Sequence, residues 1–150
     1  MKWMMAAGFV LGMAAPALAD DDIMKVEAIG TVTEVADRLV SAVEGAGATV
    51  FARVDHAGGA ASVDMELAPM ELVIFGNPKL GTPALQDSAL AGLALPLRVL
   101  VYEDGEGKVW LAYEDPEEML EDVGVDEDLK ALGMMEGALK KLTGAAANGE

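Results

Sequence analysis

Side chains able to do chemistry are few in this chain. There is one histidine, His56, next to Asp55, and no cysteine among the 150 residues. Without a thiol there is no cysteine nucleophile, thiolate metal site or disulfide exchange. A nucleophile–base constellation would have to use His56, oriented by a carboxylate. Thr49 to His56 has strand character. Period two predicts Val50, Ala52, Val54 and His56 on one face and Phe51, Arg53 and Asp55 on the other. Neighbours in a strand point to opposite faces, so Asp55 does not orient His56 while the strand persists. A structural histidine at a strand end is the simpler reading, and a general base is the alternative. One histidine without cysteine also makes a poor zinc or haem site.

The other candidate is the stretch Ile74 to Pro83, IFGNPKLGTP. An apolar run, a glycine, four residues and a second glycine before a helix resemble the frame of a phosphate-binding loop. That loop needs lysine and then a hydroxyl residue after the second glycine. Here Thr82 follows Gly81 directly and the lysine, Lys79, lies inside the loop, so nucleotide triphosphate chemistry is not expected. With Thr82 as N-cap and Pro83 in the first turn, a helix would begin here. Two readings stay open. Gly76, Asn77, Lys79, Gly81 and Thr82 form a small-anion seat at a helix N-terminus, or they are only a turn and a cap. Asp126-Glu127-Asp128 lacks the spacing of a calcium-binding loop, and Met24, Met65, Met70, Met119, Met134 and Met135 suit core packing better than soft-metal binding. The sequence names no metal and no cofactor.

These residues must be held by a framework, and the hydrophobic periodicity outlines one. Ile23 to Ile29 predicts a first strand. Thr31 and Glu34 have capping-box spacing, and Val32, Val35, Ala36, Leu39, Val40 and Val43 follow at helical intervals until Gly45. A short helix is expected over Ala57 to Leu67, a buried strand over Met70 to Phe75, and a helix from Thr82 to Gly92. Leu97 to Glu103 and Lys108 to Glu114 predict a hairpin around Asp104-Gly105-Glu106-Gly107. Asp115-Pro116 opens a helix ending near Gly124. A last helix from about Glu127 carries Leu129, Leu132, Met135, Leu139 and Leu142 on one stripe, and residues 144–150 read as a flexible tail. Interleaved helices and strands followed by a hairpin predict a two-layer α/β domain, helices on one mixed sheet, over residues 20–143.

The N-terminus sets the compartment. Lys2, an apolar run from Trp3 to Ala14, Pro16 and then Ala17-Leu18-Ala19 form a secretory signal with cleavage after Ala19. The run is too short for a membrane span, which needs about 20 apolar residues. Removing the first 19 of 150 residues leaves an exported, periplasmic or secreted chain with no membrane span. Its net charge is −16 for the full sequence, which repels nucleic acid and anionic lipid. Glu103 to Asp128 concentrates the acids, with Lys108 as its only base. This is a solvated face in the plainer reading and a cation buffer in the sharper one.

The segments VFARVDHAGGA, LVIFGNPKLGTP and LALPLRVLVYEDGEGKVWLAY, in this order, resemble the bacterial and archaeal domain of unknown function 302 family. The resemblance is strongest over Val50 to Tyr113 and covers about 33–113; helices over 116–143 lie outside it. It implies a compact α/β domain that pairs into a homodimer, without an established activity. By position its motif falls on Asp55, His56, Gly76, Asn77, Pro78, Gly81, Thr82, Leu95 and Pro96. The leading functional expectation is an exported binding or interaction module taking a small anionic ligand at 76–83, without turnover. The alternatives are a small hydrolase or transferase using His56 near Gly76–Thr82, and cation buffering by the acidic C-terminal third.

Overall fold

The computed structural model describes residues 22–149, so the signal segment and its cleavage site lie outside the described residues. The elements are β1 (Ile23–Ala28), α1 (Val32–Gly45), β2 (Thr49–Asp55), α2 (His56–Ala61), β3 (Met70–Gly76), α3 (Pro78–Asp87), α4 (Ala91–Ala94), β4 (Leu97–Glu103), β5 (Val109–Glu114), α5 (Pro116–Glu121) and α6 (Lys130–Asn148).

The five strands form one sheet in the order β1-β5-β4-β3-β2. Each neighbouring pair is antiparallel. The two-layer arrangement is as expected, but the sheet is antiparallel where a mixed one was expected. The interleaving is explained by α1, whose crossover joins β1 to β2. Those two strands run the same way but occupy opposite edges, so they never pair. Helix α2 has only six residues, about 9 Å of rise. It cannot carry the chain back along a seven-residue strand, and β3 returns beside β2 in the opposite sense.

Helix α1 starts on the predicted capping box. The Glu34 amide donates to Thr31 Oγ1 at 3.3 Å and the Thr31 amide to Glu34 Oε2 at 2.9 Å. Its apolar stripe Val32, Val35, Ala36, Leu39 and Val43 is buried. Below lie the inward residues of the sheet, among them Val73, Phe75, Val99, Val101, Leu111 and Tyr113. Leu132, Met135, Leu139 and Leu142 of α6 complete the core. Full burial of each such side chain stabilises the fold by about 1.5–3 kcal/mol.

The tail is not frayed as far as it is described. Helix α6 runs through Gly144 to Asn148, with Ala146 and Ala147 buried. Arg38 Nε donates to the Ala146 carbonyl at 2.7 Å and the Ile29 amide to the Ala147 carbonyl at 3.0 Å. A cation at the helix C-terminus satisfies carbonyls left without intrahelical partners. The alanines that looked featureless in the sequence are small enough to let α6 approach α1 closely.

Candidate functional site

Strand β3 ends at Gly76, and Asn77, in extended conformation, caps α3. Its Oδ1 accepts the Lys79 amide at 3.0 Å, with Pro78 at the first helical position, where its missing N–H removes nothing the helix needs. The helix therefore starts five residues before the expected Thr82-Pro83, and Gly81, Thr82 and Pro83 belong to its body. Pro83 removes only a bond to the Lys79 carbonyl, and α3 continues to Asp87.

This changes the anion seat. Pro78 has no amide proton, the Lys79 amide is capped, and the Leu80 and Gly81 amides both donate to the Asn77 carbonyl at 2.9 Å. The donors an anion would need are already taken. The Lys79 side chain is exposed and is not part of the hollow described next.

Gly76, Asn77, Gly81 and Thr82 do share a site, an apolar hollow of about 470 Å³. Such a volume falls within the roughly 300–1,000 Å³ of small-molecule pockets. Its floor is buried side chains of the core, Phe75, Leu97, Met135 and Leu142, and its walls include Leu80, Leu95 and Ala138. The rim is more open: Phe51 is 58% exposed and Leu85 42%. Gly92 of α4 and Pro96, which follows a cis peptide bond from Leu95, close the circuit. Among the described residues lining it none is charged; Asn77 and Thr82 are the polar side chains.

Phe51 reaches the hollow because of a β-bulge. The register of β2 on β3 shifts between Val50 and Ala52, so Val50 faces Phe75 while Ala52 faces Ile74. An extra residue re-aims the side chain it carries. Strict alternation, as read from the sequence, fails here: past the bulge Arg53 and Asp55 share the face of Val50, and Ala52 and Val54 take the other. Gly76 accommodates the ring. A Cβ there would sit 3.2 Å from Phe51 Cε2 and 3.7 Å from Pro96 Cβ.

His56 is elsewhere. It opens α2 and is exposed. Thr49 lies opposite Gly76 and Asp55 opposite Glu71, so His56 is a strand length, roughly 20 Å, from the hollow. Asp55 caps α2 instead of orienting the imidazole: its Oδ1 accepts the Gly58 amide at 2.8 Å. The structure does not bring His56 and the Gly76–Thr82 segment together.

Beside that end of β2 is a network the sequence reading missed. Glu71, 8% exposed, pairs with Arg53 Nε and accepts the Thr33 hydroxyl at 2.9 Å. Arg53 Nη1 reaches Asp37 at 2.5 Å. The Glu71 hydrogen bond, reinforced by Asp37, pushes the Arg53 pKa up against the effect of burial. The available signal was a lone glutamate interrupting an apolar strand and a lone arginine in the strand beside it.

In the acidic third, several carboxylates hold backbone. Asp104 accepts the Glu106 and Lys108 amides, each at 2.9 Å, and the Trp110 indole at 2.8 Å. The Lys108 amide, then the indole, hold its pKa below the ordinary range. Asp115 caps α5. Partial burial, then the neighbouring Glu127, raises Glu121. Among the described residues no three acids or histidine converge as a metal site.

Comparison with known proteins places this geometry in a family. Residues 24–148 match the family described as "Domain of unknown function DUF302". The chain belongs to the DUF302 family. A crystal structure of an uncharacterized conserved DUF302 protein from Bacillus stearothermophilus superposes with a TM-score of 0.68 at 18% identity, covering 85% of this chain and 96% of the other. At that identity it shows a shared fold. Among curated relatives, the protein named fluoride-specific ion channel FluC 1 from Brucella suis is 39% identical over 122 residues, which is 80% of this chain and 48% of the relative. The protein named FluC 2 from Brucella melitensis has the same identity over 45% of its length. The chain spans about half the length of the curated relatives it matches. The family match extends through α5 and α6, past the region where the sequence resemblance was strongest.

Proposed function

We propose that this chain is an exported, non-catalytic binding module whose DUF302 domain holds a small molecule with a largely apolar body in the hollow beside Gly76. The observation that carries this reading is the hollow itself, with a buried apolar floor, an open rim and two polar side chains on one wall. A few placed polar groups in an apolar lining fix orientation and supply specificity. The separation of His56 from this site favours binding over turnover. No helix of the described residues is long and apolar enough to cross a membrane.

Thermal shift on the chain starting at Asp20 tests the proposal. A ligand at a hundredfold excess over its Kd stabilises by about 2.7 kcal/mol, a shift of several degrees for a domain of this size. Ala138→Trp, which fills the hollow, should abolish the shift. If no compound in an uncharged small-molecule set raises Tm, or Ala138→Trp leaves the shift intact, the proposal fails.

A second reading rests on the curated relatives. Proteins named as fluoride-specific ion channels match this domain over about half their length, so on this reading the domain serves beside an anion pathway and meets the anion away from the internally bonded amides of 76–83. Titrating sodium fluoride against sodium chloride should then move a localised set of amide resonances that chloride leaves in place. Equal responses to both salts would remove this reading.

A further inference from the structure

We infer that the ligand of the hollow is an uncharged molecule with a flat, aromatic end, and that Phe51 is the residue that selects it. This deepens the binding reading above and rests on it.

Charge comes first. The described lining carries no charged group, so an ionic ligand would lose water without gaining a counter-charge, which costs far more than desolvating a neutral one. The surrounding protein has a net charge of −16, which further disfavours anions. The polar contact available inside suits a neutral hydrogen-bonding end. Asn77 Oδ1 is occupied by the Lys79 amide, which leaves the Asn77 amide nitrogen as a donor and the Thr82 hydroxyl as donor or acceptor.

Shape comes second. Phe51 stands on a bulge that turns its ring toward the hollow, yet the ring is more exposed than buried. An aromatic side chain held at a pocket mouth has a free face, and aromatic rings prefer offset-stacked or edge-to-face partners. Gly76 lies against the ring edge, where any Cβ would crowd it. Glycine at this position thereby leaves room for the ring, whose exposed face remains open to a partner. Phe75 in the floor supplies a second aromatic surface at the inner end. A planar ligand end lying on Phe51 would cover the exposed ring, which an aliphatic chain covers less specifically.

The test uses the chain starting at Asp20 and three kinds of probe: N-phenyl-1-naphthylamine, whose fluorescence rises in apolar sites, with 2-naphthol, decanol and decanoate as competitors. Wild type is expected to bind the two aromatic compounds and to prefer decanol over decanoate. Phe51→Leu keeps an apolar rim without a ring and lies on an exposed edge strand, so the fold tolerates it. It should weaken the aromatic probes by roughly three- to tenfold while decanol changes by less than about twofold. Equal weakening of decanol and the naphthyl compounds would overturn the selective role of Phe51 and leave the binding reading standing, as would tighter binding of decanoate than decanol for the charge argument. Absence of binding to wild type by every probe, or binding unchanged in Ala138→Trp, would overturn both.

Discussion

At one end of the β2–β3 pair, Asp55 lies opposite Glu71, and Arg53, Thr33 and Asp37 close around that carboxylate; at the other end, Thr49 lies opposite Gly76, and the ladder opens into a hollow rimmed by Phe51. The same two strands thus finish in a saturated polar network and in an apolar space with unoccupied volume. Within the network, each charged group has its partner, which fixes how α1 sits on the sheet. Around the hollow, a bulge, a glycine and a capped helix start keep side chains out of a region they could have filled. The first end ties α1 to the sheet, and the second leaves room for a ligand.

Removing Glu71 should do the most damage. Breaking a buried ion pair by deleting one partner commonly costs about 3–5 kcal/mol. Here Arg53 keeps Asp37 and its side chain is 30% exposed, so Glu71→Ala is expected to cost about 2 kcal/mol in urea denaturation, near the charged hydrogen-bond range. Binding at the hollow should persist in the folded fraction; a loss of both together would mean that the two ends are not separate.

Next in size is Arg38→Ala, which frees the Ala146 carbonyl. A cost of about 1.5 kcal/mol follows from losing a hydrogen bond to a charged donor. Amide exchange should speed up over the last turn of α6 before it changes in β3. Uniform exchange along α6 would show that Arg38 does not anchor that turn.

At the open end, Gly76→Val should cost about 1 kcal/mol, the low end for overpacking, because the exposed Phe51 ring can yield to the added carbons. The same change should remove ligand binding. Wild-type affinity in this variant would mean that ring position does not matter.

The smallest effect is expected at the hairpin tip. Asp104 has a depressed pKa through its hydrogen bonds to the Lys108 amide, the Trp110 indole and the Glu106 amide. Its stabilising contribution is present above the ordinary carboxylate range and is lost as pH falls through the lower folded value. The Trp110 indole proton, followed by NMR against pH, should shift only in acid below that ordinary range. A midpoint within or above it would show that the indole bond does not favour the ionised form.

Local chemistry read well from the sequence because it depends on near neighbours. The Thr31–Glu34 capping box, the stripe of α1 and the β4–β5 hairpin all depend on residues within a few positions of one another. Strand pairing did not, because interleaved elements are compatible with several sheet orders and only tertiary packing places β1 and β2 on opposite edges. Asn77-Pro78 was read as a turn, though the same two residues make a cap and a first helical position; Thr82-Pro83 competed for that role with equally good local credentials. Gly76, Asn77, Gly81 and Thr82 stand out in the sequence, either as an anion seat or as a turn and a cap. What the sequence could not display is that the amides were already bonded and that distant Phe51, Met135 and Leu142 make the surroundings apolar. The Arg53–Glu71 pair was invisible because a one-residue bulge reverses the faces of β2.

That bulge also bears on how the molecule behaves among copies of itself. β2 is an edge strand, and an unbroken edge offers a row of free amides and carbonyls to any passing strand. The extra residue at Phe51 interrupts that row, while the opposite border, β1, presents exposed Lys25 and Glu27. The irregularity that shapes a pocket thus also makes this border a poorer template for another strand.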